Sequence, residues 1–276
     1  MCLLALAIRQ HPDMPFVLVH NRDEILDRPT KDAVASEEDD IVCPRDGVAG
    51  GTWLGVHKPS GRVAALTNSR HKLHPPPEAP KSRGTLIQDC LQRQGVFGDG
   101  VQPRMALGGQ FAGFNLVTAE LASPAWFSRA ATGDAPVWMV SNRPQAPMAP
   151  FSRDGTPGAA SETGATSFAV TSGIHAVSNG AFNDNEWGKV KYIRREVSSA
   201  MTHQAYFRAS DMPDLAFSPL GEDVERGCQR VFVPHKRGTG LPPTPSFGTR
   251  TQTVIMRTRF AIHYLWRSTD EWPQAG

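Results

Sequence analysis

The stretch Met1–Glu24, MCLLALAIRQHPDMPFVLVHNRDE, decides how the chain is read. Two apolar runs, residues 3–10 and 16–23, flank His11-Pro12-Asp13-Met14-Pro15, a turn signal that makes them an antiparallel hairpin. A targeting peptide is the competing reading. The run Cys2 to Ile8 is short, no Lys or Arg precedes it, and no small-residue cleavage site follows. It also falls well below the roughly 20 apolar residues that span a bilayer. The segment therefore reads as part of the folded body. With the turn centred on Asp13, partner residues sum to about 26, which hairpin loop length shifts by one or two. Cys2 then lies opposite residues 23 and 24. One short turn brings Asn21-Arg22-Asp23-Glu24 back beside the chain end.

That juxtaposition has chemical meaning if Met1 is removed, as initiator methionine generally is before a small residue. Cys2 would then carry a thiol and a free α-amine together. An α-amine titrates at about 7.7–8.0 and can act as general base without a histidine. Such a centre also needs a carboxylate to orient the amine and donors to hold an oxyanion. Asp23 suits the first task, and the asparagines Asn68 and Asn179 at strand ends suit the second. The plainer reading is a small buried cysteine and a capped, solvated strand end.

The rest of the chain reads as strands with two helices. A second hairpin joins residues 51–57 to 62–68 across Lys58-Pro59-Ser60-Gly61. Strands are expected at 111–119, 137–140, 173–178, 250–256 and 260–266, and helices at 85–94 and 186–202. In the second helix Trp187, Val190, Ile193, Val197 and Met201 trace one face, and Lys189, Lys191, Arg194 and Arg195 read as the water side. Residues 144–166 read as a flexible Pro/Gly/Ala-rich loop, and 71–77 as a basic, proline-rich loop that could cover a site near Asn68. The pattern predicts an α+β fold forming one domain over 1–276.

Composition removes several functions. A formal net charge of +2 gives no electrostatic case for nucleic acid or an anionic membrane surface. No stretch reads as transmembrane. Four cysteines, at 2, 43, 90 and 228, lack the spacing of a zinc site or a disulfide framework, so the metal expectation is none. A Gly-x-Ser-x-Gly elbow, a dinucleotide fingerprint and a P-loop are absent. Cys43-Pro44 matches a short motif associated with haem, with the thiolate as axial ligand. Trp53, in Gly50-Gly51-Thr52-Trp53-Leu54-Gly55, reads as packed core, with pocket lining as the alternative.

Met1-Cys2 followed by His20-Asn21-Arg22-Asp23-Glu24 resembles the NRDE family, whose eukaryotic members are the transport and Golgi organisation 2 proteins. Further matching segments run in order to about residue 255. They include Arg28-Pro29-Thr30, Gly50 to Gly55, Ala64 to Asn68, Val177 to Gly180, Trp187-Gly188-Lys189-Val190 and Gly248 to Val254. That family is similar to the N-terminal nucleophile hydrolases near choloylglycine hydrolase and penicillin V acylase. The resemblance implies a four-layer αββα sandwich of two antiparallel sheets. It implies catalytic positions at Cys2, Asn21, Asp23, Asn68, Asn179 and Arg250. One departure is His20, where the hydrolases carry an arginine; Arg22 lies two residues on, and imidazole cannot replace a guanidinium's fork.

The resemblance implies an intracellular trafficking or binding protein that handles a hydrophobic cofactor or lipid, with haem or an acyl-coenzyme A ester as ligand. The alternative is an N-terminal cysteine amidohydrolase acting on a small, linear non-peptide amide. The expected partner is accordingly a small hydrophobic ligand or amide substrate. The expected place is the cytoplasm, with Golgi or mitochondrial association allowed by the resemblance.

Overall fold

The computed structural model describes residues 2–33, 40–70, 81–92, 110–127, 137–143, 166–202 and 246–268. The expected loop at 71–77, residues 144–165 of the one expected at 144–166, and the fourth cysteine, Cys228, lie outside the described residues, while Thr166 begins a strand. Two compact units are formed, one from residues 1–29, 173–178 and 183–276, the other from 30–172 and 179–182. Each takes its residues from separated stretches, so no single cut in the sequence divides them.

The first unit is a five-stranded antiparallel sheet. It contains β1 (Leu3–Ile8), β2 (Phe16–Ile25), β11 (Gly173–Val177), β12 (Phe247–Arg257) and β13 (Ile262–Ser268), in the order β11-β1-β2-β12-β13. Helix α2 (Gly188–Thr202) packs on β1 and β11. Odd-numbered residues of the first hairpin meet it: Leu3, Ala5, Val17 and Val19 join Ala176, Val190, Ile193, Val197 and Val254 in one cluster. Period-2 and period-3.6 patterns thus supply the two sides of one core. Each buried Leu, Ile or Val side chain there contributes about 1.5–3 kcal/mol.

The second unit is built on a sheet of β4 (Ile41–Val42), β6 (Leu54–His57), β7 (Arg62–Asn68), β8 (Phe114–Glu120), β9 (Val137–Ser141) and β10 (Thr166–Ala169), in the order β10-β9-β8-β7-β6-β4. A two-stranded ribbon, β3 (Thr30–Lys31) with β5 (Arg45–Asp46), stands apart from it. Helix α1 (Arg83–Gln92) packs on β6 and β7 through Leu86, Ile87, Cys90 and Leu91. Gly51 explains how close this helix comes. A Cβ there would lie 2.8 Å from the Gly84 Cα, so two glycine backbones touch where larger residues would collide.

The α+β class, the two antiparallel sheets and their helix layers, expected of an N-terminal nucleophile hydrolase-like fold, are therefore present. The short strands β3, β4, β5 and β10 were not legible, being two to four residues long. The hairpin register differs from expectation. Leu3 pairs with Asn21, a sum of 24 rather than 26, so Cys2 extends opposite Arg22. The loop is centred on Pro12: Arg9 takes a positive φ of 54°, and its N–H bonds the Pro15 carbonyl at 2.7 Å, closing β1 early.

Candidate active site

The tetrapeptide at the end of β2 is sorted by strand alternation. Asn21 and Asp23 point to the α2 side, Arg22 and Glu24 to the other. Asn21 is buried; its Oδ1 accepts from Gln252 Nε2 at 3.0 Å, and Gln252 Oε1 accepts from Arg267 Nε at 2.6 Å. That relay runs across β2, β12 and β13 and fixes the amide rather than leaving it to swing. Arg22 is 3% exposed and pairs with Glu24, Nη2 to Oε2, at 3.6 Å; Glu24 also faces Arg28.

Asp23 is held from two further elements. Thr249, its register partner on β12, donates Oγ1–H to Oδ1 at 2.7 Å. Lys189, the second residue of α2, brings Nζ to 3.9 Å from Oδ2 with both side chains almost wholly buried. Burial pushes the Asp23 carboxyl above its ordinary range, while the N-terminal ammonium, then the Lys189 charge and the Thr249 hydrogen bond, pull it back.

Cys2 is half-buried at the start of β1, a free thiol. Its carbonyl accepts from Ser178 Oγ at 2.9 Å, which ties the chain end to the end of β11. Desolvation raises the thiol pKa, and the nearby Asp23 charge raises it further. The N-terminal ammonium, a hydrogen bond from the Asp23 backbone and the Arg22 charge oppose this. Cys2 and Asp23 are therefore neighbours, although the register puts Arg22 directly across.

Arg250 occupies the irregularity in β12. Pairing with β2 slips between Thr249, opposite Asp23, and Thr251, opposite Arg22, so Arg250 is the extra residue of a bulge. Bulges bend a strand and re-aim its side chains, often beside active sites. Cys2, Asn21, Asp23 and Arg250 thus share one end of the five-stranded sheet. Asn68 and Asn179 belong to the other unit. There Asn179 Nδ2 donates to the Asn68 carbonyl at 2.6 Å, the Asn179 carbonyl accepts from the Arg70 N–H, and Asn179 is buried while Asn68 is exposed.

Residues that sequence reasoning missed are Lys189, Thr249, Gln252, Arg267 and Ser178. Lys189 overturns the expectation of a solvated basic face at that position: it is 2% exposed. Its signal was present, since Lys189, Ile193 and Val197 recur every four residues on the apolar stripe.

Cys43, the cysteine of the expected haem motif, is buried, and a Cβ on Gly55 would lie 2.8 Å from the Cys43 Cβ and 2.8 Å from Leu91 Cδ1. Trp53 is buried, as the packed-core reading expects. Among the described residues no group of three or more His, Cys, Asp or Glu could hold a metal ion. No helix among them is long and apolar enough to cross a membrane, which says nothing of a β-barrel.

Fold and cluster together define an α+β protein of two antiparallel sheets with a cysteine and a buried carboxylate at one sheet end. Residues 1–263 match the family described as Transport and Golgi organisation 2, and the chain belongs to that family. It is 34% identical over 93 residues to Uncharacterized protein YGR127W of Saccharomyces cerevisiae (strain ATCC 204508 / S288c). That match covers 31% of this chain and only 29% of the yeast protein. Among solved structures, a Caenorhabditis elegans N-acylethanolamine-hydrolyzing acid amidase (NAAA) ortholog aligns with 96% of this chain and 100% of its own. Its TM-score is 0.46 at 10% identity, a likeness too slight to speak to chemistry.

Proposed function

We propose that this member of the family carries an N-terminal cysteine centre on an N-terminal nucleophile hydrolase-like scaffold and accepts acyl groups from small linear amides. The observation that carries this reading is the contact between Cys2 and Asp23, with the carboxylate buried and held by Thr249 and Lys189. Removal of Met1 gives Cys2 its own amine, and Asp23 is the carboxylate beside it. In the reaction the thiol sulfur attacks the amide carbonyl carbon and its proton passes to the Cys2 amine. The resulting ammonium gives that proton to the leaving nitrogen as the C–N bond breaks, leaving a thioester on Cys2. Water then attacks the thioester, with the same amine taking and returning a proton, and the free acid leaves. Arg250 and Asn21, at the same end of the five-stranded sheet, are proposed as supporting groups.

The test is intact mass after incubation with an acyl p-nitroanilide. One acyl group on a chain lacking Met1 supports the reading; a retained Met1 with no adduct removes it.

A second reading has its own support. Burial raises the Cys2 thiol, the reverse of a typical activated cysteine, and His20 stands where the hydrolases have arginine. Both suit a site that holds a hydrophobic ligand with little turnover, such as an acyl-coenzyme A ester or haem, and carries it within the cell. Golgi or mitochondrial association belongs to this reading. An acyl-coenzyme A that raises Tm without a covalent adduct favours it, as does a Soret shift on haem titration.

A further inference from the structure

We propose that Lys189 is a positioning residue for the Cys2 centre: a cation carried on α2 that holds Asp23 ionised and aims it at the chain end. The inference rests on the cysteine-centre reading above. It starts from the fact that a lysine is badly placed at this position by every local rule. Lysine is almost never fully buried unless paired, yet the Lys189 side chain is 3% exposed. It sits in the first turn of α2, where the helix dipole is positive and a cation is disfavoured. It also lies on the stripe continued by Ile193 and Val197, where leucine or methionine would pack without any cost of desolvation.

Stability gives no reason to put a charge there. A buried ion pair is often no better than two apolar residues of similar volume. What the charge does supply is a fixed electrostatic setting for one carboxylate. Thr249 fixes Oδ1 by a hydrogen bond at 2.7 Å, and the Lys189 charge faces Oδ2 at 3.9 Å, an ion-pair distance. The other charged or titratable groups at Asp23 are the N-terminal ammonium, which pulls its carboxyl down more strongly than Lys189 does, the Cys2 thiol and Arg22, with Arg250 next to Thr249 in the β12 bulge. When the Cys2 amine becomes ammonium during attack, an ionised Asp23 stabilises it; a protonated one cannot. Lys189 acts on the centre through Asp23.

The test follows Asp23 and Cys2 separately. Chain labelled with ¹³C at aspartate carboxyls is titrated by NMR as wild type, Lys189→Met and Lys189→Arg, and Cys2 acylation is timed by intact mass across pH. In Lys189→Met the Asp23 titration should move up by about one unit or more, the size of effect of removing an opposite charge. Acylation at neutral pH should fall at least about ten-fold and recover toward higher pH, as loss of a general-base partner's setting requires. Lys189→Arg should restore both. An Asp23 titration and a pH profile that stay put in Lys189→Met overturn the proposal. Should Lys189→Met not fold, Asp23→Asn/Lys189→Met decides: recovery of folding supports an electrostatic pair, and no recovery refutes it. A wild-type Cys2 that takes no acyl group removes the cysteine-centre reading, while the Asp23 titration still reads the hold of Lys189 by itself.

Discussion

At the scale of single residues, Asp23 and Cys2 are both raised by burial, and this sets how each responds to pH. A carboxyl whose folded pKa exceeds its unfolded value stabilises the fold fully below the unfolded value. That contribution is lost as pH rises through the folded one. Urea unfolding between pH 4 and 7 should therefore show Asp23 favouring the fold more at the acid end, and Asp23→Asn should flatten that slope. Asp23→Asn at neutral pH should still cost about 3–5 kcal/mol, because it strands the buried Lys189 charge. The raised thiol makes a second prediction. With Met1 retained, iodoacetamide should label Cys2 slowly near neutrality and faster only above the ordinary thiol range. With Met1 removed, labelling should follow the amine, near pH 8. Labelling that plateaus below pH 7 in either form would contradict both the burial and the proposed base. Cys2 and Asp23 were legible as a pair because a short hairpin leaves few registers. Lys189 was not, because a lysine among Lys191, Arg194 and Arg195 reads as surface until its four-residue spacing to Ile193 is weighed.

At the scale of elements, close backbone contact and register decide what the site can do. The bulge in β12 lets Thr249 face Asp23 while adding Arg250 between ladder positions, so one strand contributes a hydroxyl and a guanidinium to the same sheet end. No sequence signal marks a bulge in Phe247–Arg257, whose residues read as an ordinary strand. The Gly-Gly-Thr-Trp-Leu-Gly segment was legible as the start of a hairpin strand with a core tryptophan, but the reason for its glycines was not. Gly51 admits helix α1 at Gly84, and Gly55 admits Cys43 and Leu91. Gly51→Val should therefore destabilise the fold by about 1–3 kcal/mol, the usual cost of overpacking, and lower the urea midpoint without moving the Cys2 labelling profile. An unchanged midpoint would show that α1 yields at Gly84.

At the scale of the whole chain, the family match spans residues 1–263, and the ordered segments that carry it are legible in the amino-acid sequence. What no local pattern reveals is how the chain is distributed. Strand β11 comes from residues 173–177 yet pairs with β1 at the other end of the sequence, and residues 179–182 return to the second unit. Such pairings join partners far apart along the chain, which periodicity cannot encode. They also fix what a truncation would do. A chain lacking residues 173–178 loses the edge partner of β1 and the Ser178 hydroxyl that holds the Cys2 carbonyl. The central claim, a reactive chain end at Cys2, is tested most directly by intact-mass spectrometry of the whole protein quenched in acid during exposure to an acyl p-nitroanilide. The account predicts a chain that begins at Cys2 and carries a single acyl group on its first residue. A chain that keeps Met1, or acyl groups scattered over Cys43, Cys90 and Cys228 with none favoured at Cys2, would contradict it.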